Sequence, residues 1–270
     1  MPFPSDIDFR IVGGEPVTNN QFPWQVALLY EDSLVCGGSI ISPDWVLTAA
    51  HCIFANVVFT VRAGSNSYQK NGQTRKAKRV IINKRFNIKT MDCDIALIRL
   101  RSPFTLNTNV QPISVAKFTR KLPPKLVVSG WGLINETSTT PSNDLMSVTI
   151  SPVIRSECQK IYGKSTITKN MLCAAAPKKD ACIGDSGGPL FFGNEQFGIV
   201  SFGVGCARHG YPGVARITVV EFLTRTQDKS LCEGNGLIRQ KTCTGSFALA
   251  TTFASSACSE EDDDCVRSSL

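Results

Sequence analysis

Histidine is scarce in this chain: two among 270 residues, His51 and His209, so imidazole chemistry near neutral pH has only these two places to occur. Long apolar runs are missing, none approaching the roughly eighteen residues of a spanning helix, so nothing reads as a membrane span. The first residues, Met1-Pro2-Phe3-Pro4-Ser5-Asp6, lack a basic n-region and an apolar h-region, and no signal peptide is visible. No internal repeat suggests an array. Acidic residues are absent between Asp44 and Asp92, where Arg62, Lys70, Arg75, Lys76, Lys78, Arg79, Lys84, Arg85 and Lys89 fall. The run Arg75–Lys89 suits a polyanion such as heparin or an acidic protein; an ordinary solvated basic face has the same composition.

What is present is globular. Hydrophobic residues make 42% of the chain and aromatics 8%, outside the range of disordered sequences. Eleven cysteines indicate an oxidising compartment, and the expectation is a secreted, extracellular protein whose true N-terminus lies upstream of this sequence. The net charge of +7 is concentrated between residues 11 and 228, since both ends are net acidic. From Ile11 to Pro212, short apolar or alternating runs are separated by Gly, Pro, Asn and Ser. Expected strands are 24–30, 34–41, 45–48, 57–63, 95–100, 125–129, 145–153, 189–192 and 196–202, an all-β sandwich or barrel pattern. The Pro-rich stretch 101–125 reads as a connector between two halves. Short helices are expected at 156–162, capped by Ser156, and at 219–227. After Asp228 the composition shifts to a Cys-containing tail, 229–270, that ends acidic and is either disordered or stapled by its own disulfides.

The chemistry concentrates in Asp180-Ala181-Cys182-Ile183-Gly184-Asp185-Ser186-Gly187-Gly188-Pro189. This loop holds a hydroxyl nucleophile, glycines that can expose backbone N–H groups, and two carboxylates. Alone it is also compatible with an anion nest or a plain turn. A serine needs a positioned base, and His51, in Leu47-Thr48-Ala49-Ala50-His51-Cys52, lies where a strand ends in small residues. The base needs a carboxylate to fix its tautomer; Asp94, opening the apolar strand Asp94-Ile95-Ala96-Leu97-Ile98, is the best candidate. Singly, His51 reads as a core histidine and Asp94 as a strand-edge residue. With the serine loop, in the order His, Asp, Ser, those plainer readings lose their force.

At this point the chain resembles the trypsin-like, chymotrypsin-fold serine endopeptidases. The matching segments are Ile11-Val12-Gly13-Gly14, Thr48-Ala49-Ala50-His51-Cys52, Asp94-Ile95-Ala96-Leu97-Ile98, Ser129-Gly130-Trp131-Gly132, Gly184-Asp185-Ser186-Gly187-Gly188-Pro189 and Ser201-Phe202-Gly203, collinear from residue 11 to about 225. The resemblance implies an all-β fold of two packed six-stranded antiparallel β-barrels, about 11–115 and 116–228, with a short C-terminal helix. It implies catalysis by Ser186, His51 and Asp94, with the backbone N–H groups of Gly184 and Ser186 as oxyanion hole. Ser201 would support Asp94, and Gly203 would pair with substrate backbone. Residues 1–10 would be a prosegment, cut at Arg10-Ile11 by a trypsin-like protease so that the Ile11 amine inserts beside Asp185. Asp180 matches the base of the primary specificity pocket, with Gly203 and Gly213 at its walls. Ala181, where many relatives carry Ser, is expected to favour Arg over Lys.

Some positions depart from the family. Phe202 replaces the usual Trp. The strand Pro212-Gly213-Val214-Ala215-Arg216-Ile217 lacks the aromatic usual after Val, and a one-residue slip there would exchange the faces of the strand. The resemblance implies the disulfides Cys36–Cys52, Cys158–Cys173 and Cys182–Cys206. Leu126 and Phe192 take the place of a further bridge and are expected to touch. Cys93, Cys232, Cys243, Cys258 and Cys265 remain, read as two bridges in the tail and a free Cys93. Asn135-Glu136-Thr137 is a glycosylation sequon. No cofactor or metal is expected: the loop after Gly64 lacks a carboxylate pair for calcium, and His209 near Cys206 reads as a loop residue. The expected partners are protein or peptide substrates, for a monomer. The rival reading is a catalytically weak homologue that binds through its basic face.

Overall fold

The computed structural model describes residues 14–18, 21–55, 57–117, 121–133, 137–177, 180–206, 208 and 210–217. The prosegment, Ile11, the sequon's Asn135, His209, the helix expected at 219–227 and the tail lie outside the described residues.

Six strands of the N-terminal half close on themselves: β2 (Gln25–Tyr30), β3 (Ser33–Ser42), β4 (Trp45–Thr48), β5 (Thr60–Ala63), β6 (Gln73–Ile82) and β7 (Ala96–Leu100), in the order β2-β3-β4-β7-β6-β5. Closure removes the exposed edges that an open sheet would leave. Inward side chains such as Val26, Leu28, Ile40, Val61 and Leu97 form one core. The strand β6 was not expected from the sequence. Its only buried residue is Ala77, so Arg75, Lys76, Lys78 and Arg79 conceal the apolar signal that marks a strand.

The second barrel uses β9 (Leu126–Gly130), β10 (Met146–Val153), β11 (Met171–Ala175), β12 (Pro189–Phe192), β13 (Glu195–Phe202) and β14 (Gly213–Ile217), closed by β9 pairing with β10. Two short strands join it from outside: β1 (Glu15–Pro16) beside β10 and β8 (Ser114–Val115) beside β13. Its core includes Leu126, Val128, Met146, Ile150 and Leu190. Phe192 does not join Leu126 there: it is the last residue of β12 and is 53% exposed. The helix α1 spans Arg155–Tyr162; Ile154 stands at its N-cap and no side chain caps it, so Ser156 is inside the helix and not its cap.

Buried polar contacts lock the barrels together. Ser39 Oγ donates to Gln196 Oε1 at 2.6 Å, and Ser129 Oγ donates to Gln25 Oε1 at 2.6 Å. Phe22 and Trp24 meet Phe191 edge-on beside them. Each of these polar groups is satisfied across the junction, which fixes the relative position of the two halves.

Candidate active site

The carboxylate of Asp94 has no exposed surface. It accepts from the His51 backbone N–H at 2.9 Å, lies 2.7 Å from His51 Nδ1, and accepts from Ser201 Oγ at 2.6 Å. A buried carboxylate is tolerated when such donors replace its water. The donors come from both barrels: His51 from the short 3-10 turn Ala50–Cys52 after β4, and Ser201 from β13. Because Nδ1 faces Asp94, the other ring nitrogen, Nε2, is left to act on a substrate or nucleophile.

Ser186 is held from behind. Its carbonyl accepts from the Gly37 N–H at 2.8 Å, and the Gly37 carbonyl accepts from Thr48 Oγ1 at 2.9 Å. Gly187 follows with φ +79°, and a Cβ there would fall 2.3 Å from Thr48 Oγ1. Only glycine lets the serine loop approach the end of β4, which leads into His51. Ser186 Oγ makes no hydrogen bond to His51; catalytic contacts of this kind commonly tighten only in the Michaelis complex. Among the described residues, neither the Gly184 nor the Ser186 backbone N–H donates to a protein acceptor.

Asp185 turns inward, with no exposed surface, and accepts from the N–H groups of Gly132 at 2.8 Å and Cys182 at 2.9 Å. A Cβ on Gly130 or Gly132 would lie 2.1 or 2.5 Å from this carboxylate, which explains the two glycines that flank Trp131. Burial pushes the Asp185 carboxyl up to about 7, against the two N–H donors that pull it down. Asp180, 5% exposed, accepts from the Ala181 N–H at 2.8 Å; a Cβ at Gly213 would come within 2.7 Å of its Oδ1. A cavity of about 460 Å³ opens beside Ser186 and is lined by Asp180, Ala181, Ser201, Phe202, Gly203 and Gly213.

The three disulfides implied by the resemblance are formed: Cys36–Cys52 under the histidine, Cys158–Cys173 at α1 and Cys182–Cys206 at the cavity. Cys93 is disulfide-bonded, which corrects the expectation of a free thiol; its partner lies outside the described residues. Ligand atoms of Cys36, His51 and Cys52 lie within 4.8 Å of one another, but the two sulfurs are joined to each other and supply no thiolate.

Sequence reasoning missed one cluster. Arg216 on β14 is 1% exposed and donates from Nη1 to the Asn170 carbonyl at 2.8 Å. Asn170 Nδ2 donates to Asp92, as does Thr168 Oγ1, at 2.9 and 2.7 Å. Burial lowers the Arg216 guanidinium to about 10, opposed by Asp92 and Asp94. An arginine within the apolar run Val214–Ile217 was the available signal, since a strand enclosed on both faces must pair such a charge.

Two closed barrels that share a histidine–carboxylate pair and a serine loop across their junction are the arrangement of the chymotrypsin-fold serine endopeptidases. The family model described as Trypsin matches residues 11–225. Trypsin alpha of Drosophila melanogaster is 42% identical over 212 residues, covering 77% of this chain and 83% of that protein. A vitellin-degrading protease of Bombyx mori is 38% identical over 214 residues, covering 77% and 81%. The structure of neuropsin, a serine protease expressed in the limbic system of mouse brain, superposes with a TM-score of 0.74 at 31% identity, over 80% of this chain and 98% of that one. The chain belongs to the trypsin family and is a trypsin-like serine endopeptidase.

Proposed function

We propose that the protein is a secreted endopeptidase, made as a zymogen, that cleaves after Arg in preference to Lys. The observation that carries the mechanism is the buried Asp94 gripping His51 Nδ1 while Ser201 holds it from the far side. His51 Nε2 takes the Ser186 proton as Oγ attacks the scissile carbonyl, and returns it to the leaving amine; water then releases the acyl group by the reverse path. Gly184 and Ser186 N–H groups receive the oxyanion, each such donor being worth about 3 kcal/mol of barrier. Gly203 pairs with the substrate backbone as an added strand.

Asp180, beside the cavity, favours a cationic substrate side chain, and Ala181 supplies no hydroxyl for a Lys ammonium, whereas an Arg guanidinium can engage the carboxylate with two N–H groups. Cleavage at Arg10-Ile11 by a trypsin-like protease releases residues 1–10 and supplies the Ile11 ammonium to Asp185. The protein acts on protein or peptide substrates as a monomer, with the basic face at Arg75–Lys89 open to a polyanion or acidic protein. The reading as a weak homologue that only binds is not favoured, since the catalytic side chains are intact.

The test is direct. After cleavage at Arg10-Ile11, peptide substrates ending in Arg should be hydrolysed faster than those ending in Lys, and those ending in Phe not at all, with Ser186→Ala as the blank. Equal rates for Lys would remove the Arg preference, and hydrolysis after Phe would remove the role of Asp180.

A further inference from the structure

The cavity beside Ser186 does not end at Asp180. It runs on into the interior of the second barrel, where Val128, Ile150, Ala174, Leu190 and Ala215 line it. These five are 1%, 4%, 2%, 1% and 7% exposed and belong to that barrel's hydrophobic core. Part of the core is therefore also a pocket wall. The opening traces to one position. β14 keeps regular register with β11, pairing Leu172 with Ala215 and Cys173 with Val214. Against β13 the register shifts by one between Val200 and Phe202, so that Val200 faces Ala215 and Phe202 faces Val214. Ala215 thus points into the barrel at the place where the resemblance leads one to expect an aromatic ring, and Arg216 turns to the opposite face against Asn170. A methyl group stands there in place of a ring, and it lines the cavity.

The space so opened is apolar on all five sides, and water there would have few polar partners. A group that suits it is apolar, and it is reached past a carboxylate. We infer that this pocket accepts cationic side chains carrying an alkyl group on the charged end, of which Nω-methylarginine is the simplest. Monomethylation keeps the guanidinium charge for Asp180, and the added methyl enters the Ala215 chamber, where burying one such group is worth roughly fourfold in binding. Ala215 is then the residue that sets specificity for alkylated over plain cations. The bond broken and the water consumed are those of ordinary peptide hydrolysis. The inference rests on the reading of Asp180 as the cation-binding group.

The test uses the full chain cut at Arg10-Ile11 and two chromogenic peptides that differ only in Arg or Nω-methylarginine before the scissile bond. The native protein should cleave both with kcat/KM within tenfold of each other. Ala215→Phe should lower kcat/KM for the methylated peptide at least tenfold more than for the Arg peptide. Ala215→Leu, less crowding for the barrel, should show the same trend more weakly. A methylated peptide cleaved more than tenfold slower than Arg by the native protein overturns the inference, as does an Ala215→Phe variant that treats the two alike. Should neither variant fold, the native ratio alone decides. Failure of the native protein to cleave the Arg peptide overturns the reading of Asp180 first and this inference with it; cleavage of Arg with rejection of methylarginine overturns only the chamber.

Discussion

The two barrels bury their carboxylates differently. Asp94, which leads into the first barrel's β7, is surrounded by three donors and is complete as it stands. Asp185, in the second barrel's serine loop, receives two backbone N–H groups and, among the described residues, no cation. Both are fully buried, and burial drives the Asp185 carboxyl up to about 7. The two carboxylates therefore differ in what replaces their water: a histidine and a hydroxyl as well as a backbone N–H at Asp94, backbone N–H groups alone at Asp185. The first barrel presents a histidine already paired with its carboxylate, and the second a buried acid with no cation beside it among the described residues.

Replacing a group on each side tests this contrast. Asp94→Asn keeps the shape but offers His51 the wrong tautomer; kcat should fall about 10⁴-fold with KM little changed, the size seen for this change in a serine protease of the same arrangement. A fall under tenfold would mean that Asp94 is not the orienting group. Asp185→Asn should leave the uncut chain folded but lower the activity of the cut chain about 10²–10³-fold, the cost of losing one member of a buried pair.

The same residue gives a pH signature before cutting. Its carboxyl releases its proton near 3.8 when unfolded and near 7 when folded. Between those values the folded chain binds more protons, so stability falls as pH rises from about 4 to 7 and is level above, a loss on the order of 4 kcal/mol at most. Denaturation of the uncut chain against pH should show this slope, and Asp185→Asn should remove it.

Smaller effects sharpen the picture. Ser201→Ala removes one of Asp94's hydrogen bonds, a charge-assisted one, and should cost about 10- to 100-fold in kcat with KM preserved. Smallest for catalysis is Arg216→Met. It removes one of two donors to the Asn170 carbonyl, which keeps the Ile217 N–H at 3.0 Å, and should lower stability by about 1 kcal/mol in a denaturant titration while KM for Arg peptides stays unchanged. A larger shift in KM than in stability would place Arg216 in the pocket.

Strands β2, β3, β4, β12 and β13 were legible because each carries apolar residues that meet the core. The strand β6 was not, since three of its five exposed residues are Lys76, Lys78 and Arg79 and only Ala77 is buried. Nor was β11, Met171–Ala175, whose Met-Leu-Cys-Ala-Ala run lacks the β-branched residues that mark a strand. The serine loop, the histidine segment and Asp94 announced themselves by residue type. The Arg216–Asn170–Asp92 cluster did not, because its members are separated by up to 124 positions in the chain, from Asp92 to Arg216.

By itself the sequence determined which chemical groups exist and the local rules they obey: a serine among glycines, two histidines, an arginine before Ile-Val-Gly-Gly, small residues where backbones must approach. Tertiary structure alone decided that Ala215 pairs with Leu172 and faces the barrel core, while β13 shifts its register by one opposite it at Ser201. Side-chain direction in a strand depends on pairing with its neighbours, and a bulge on one neighbour can change it without any mark in the sequence of the other.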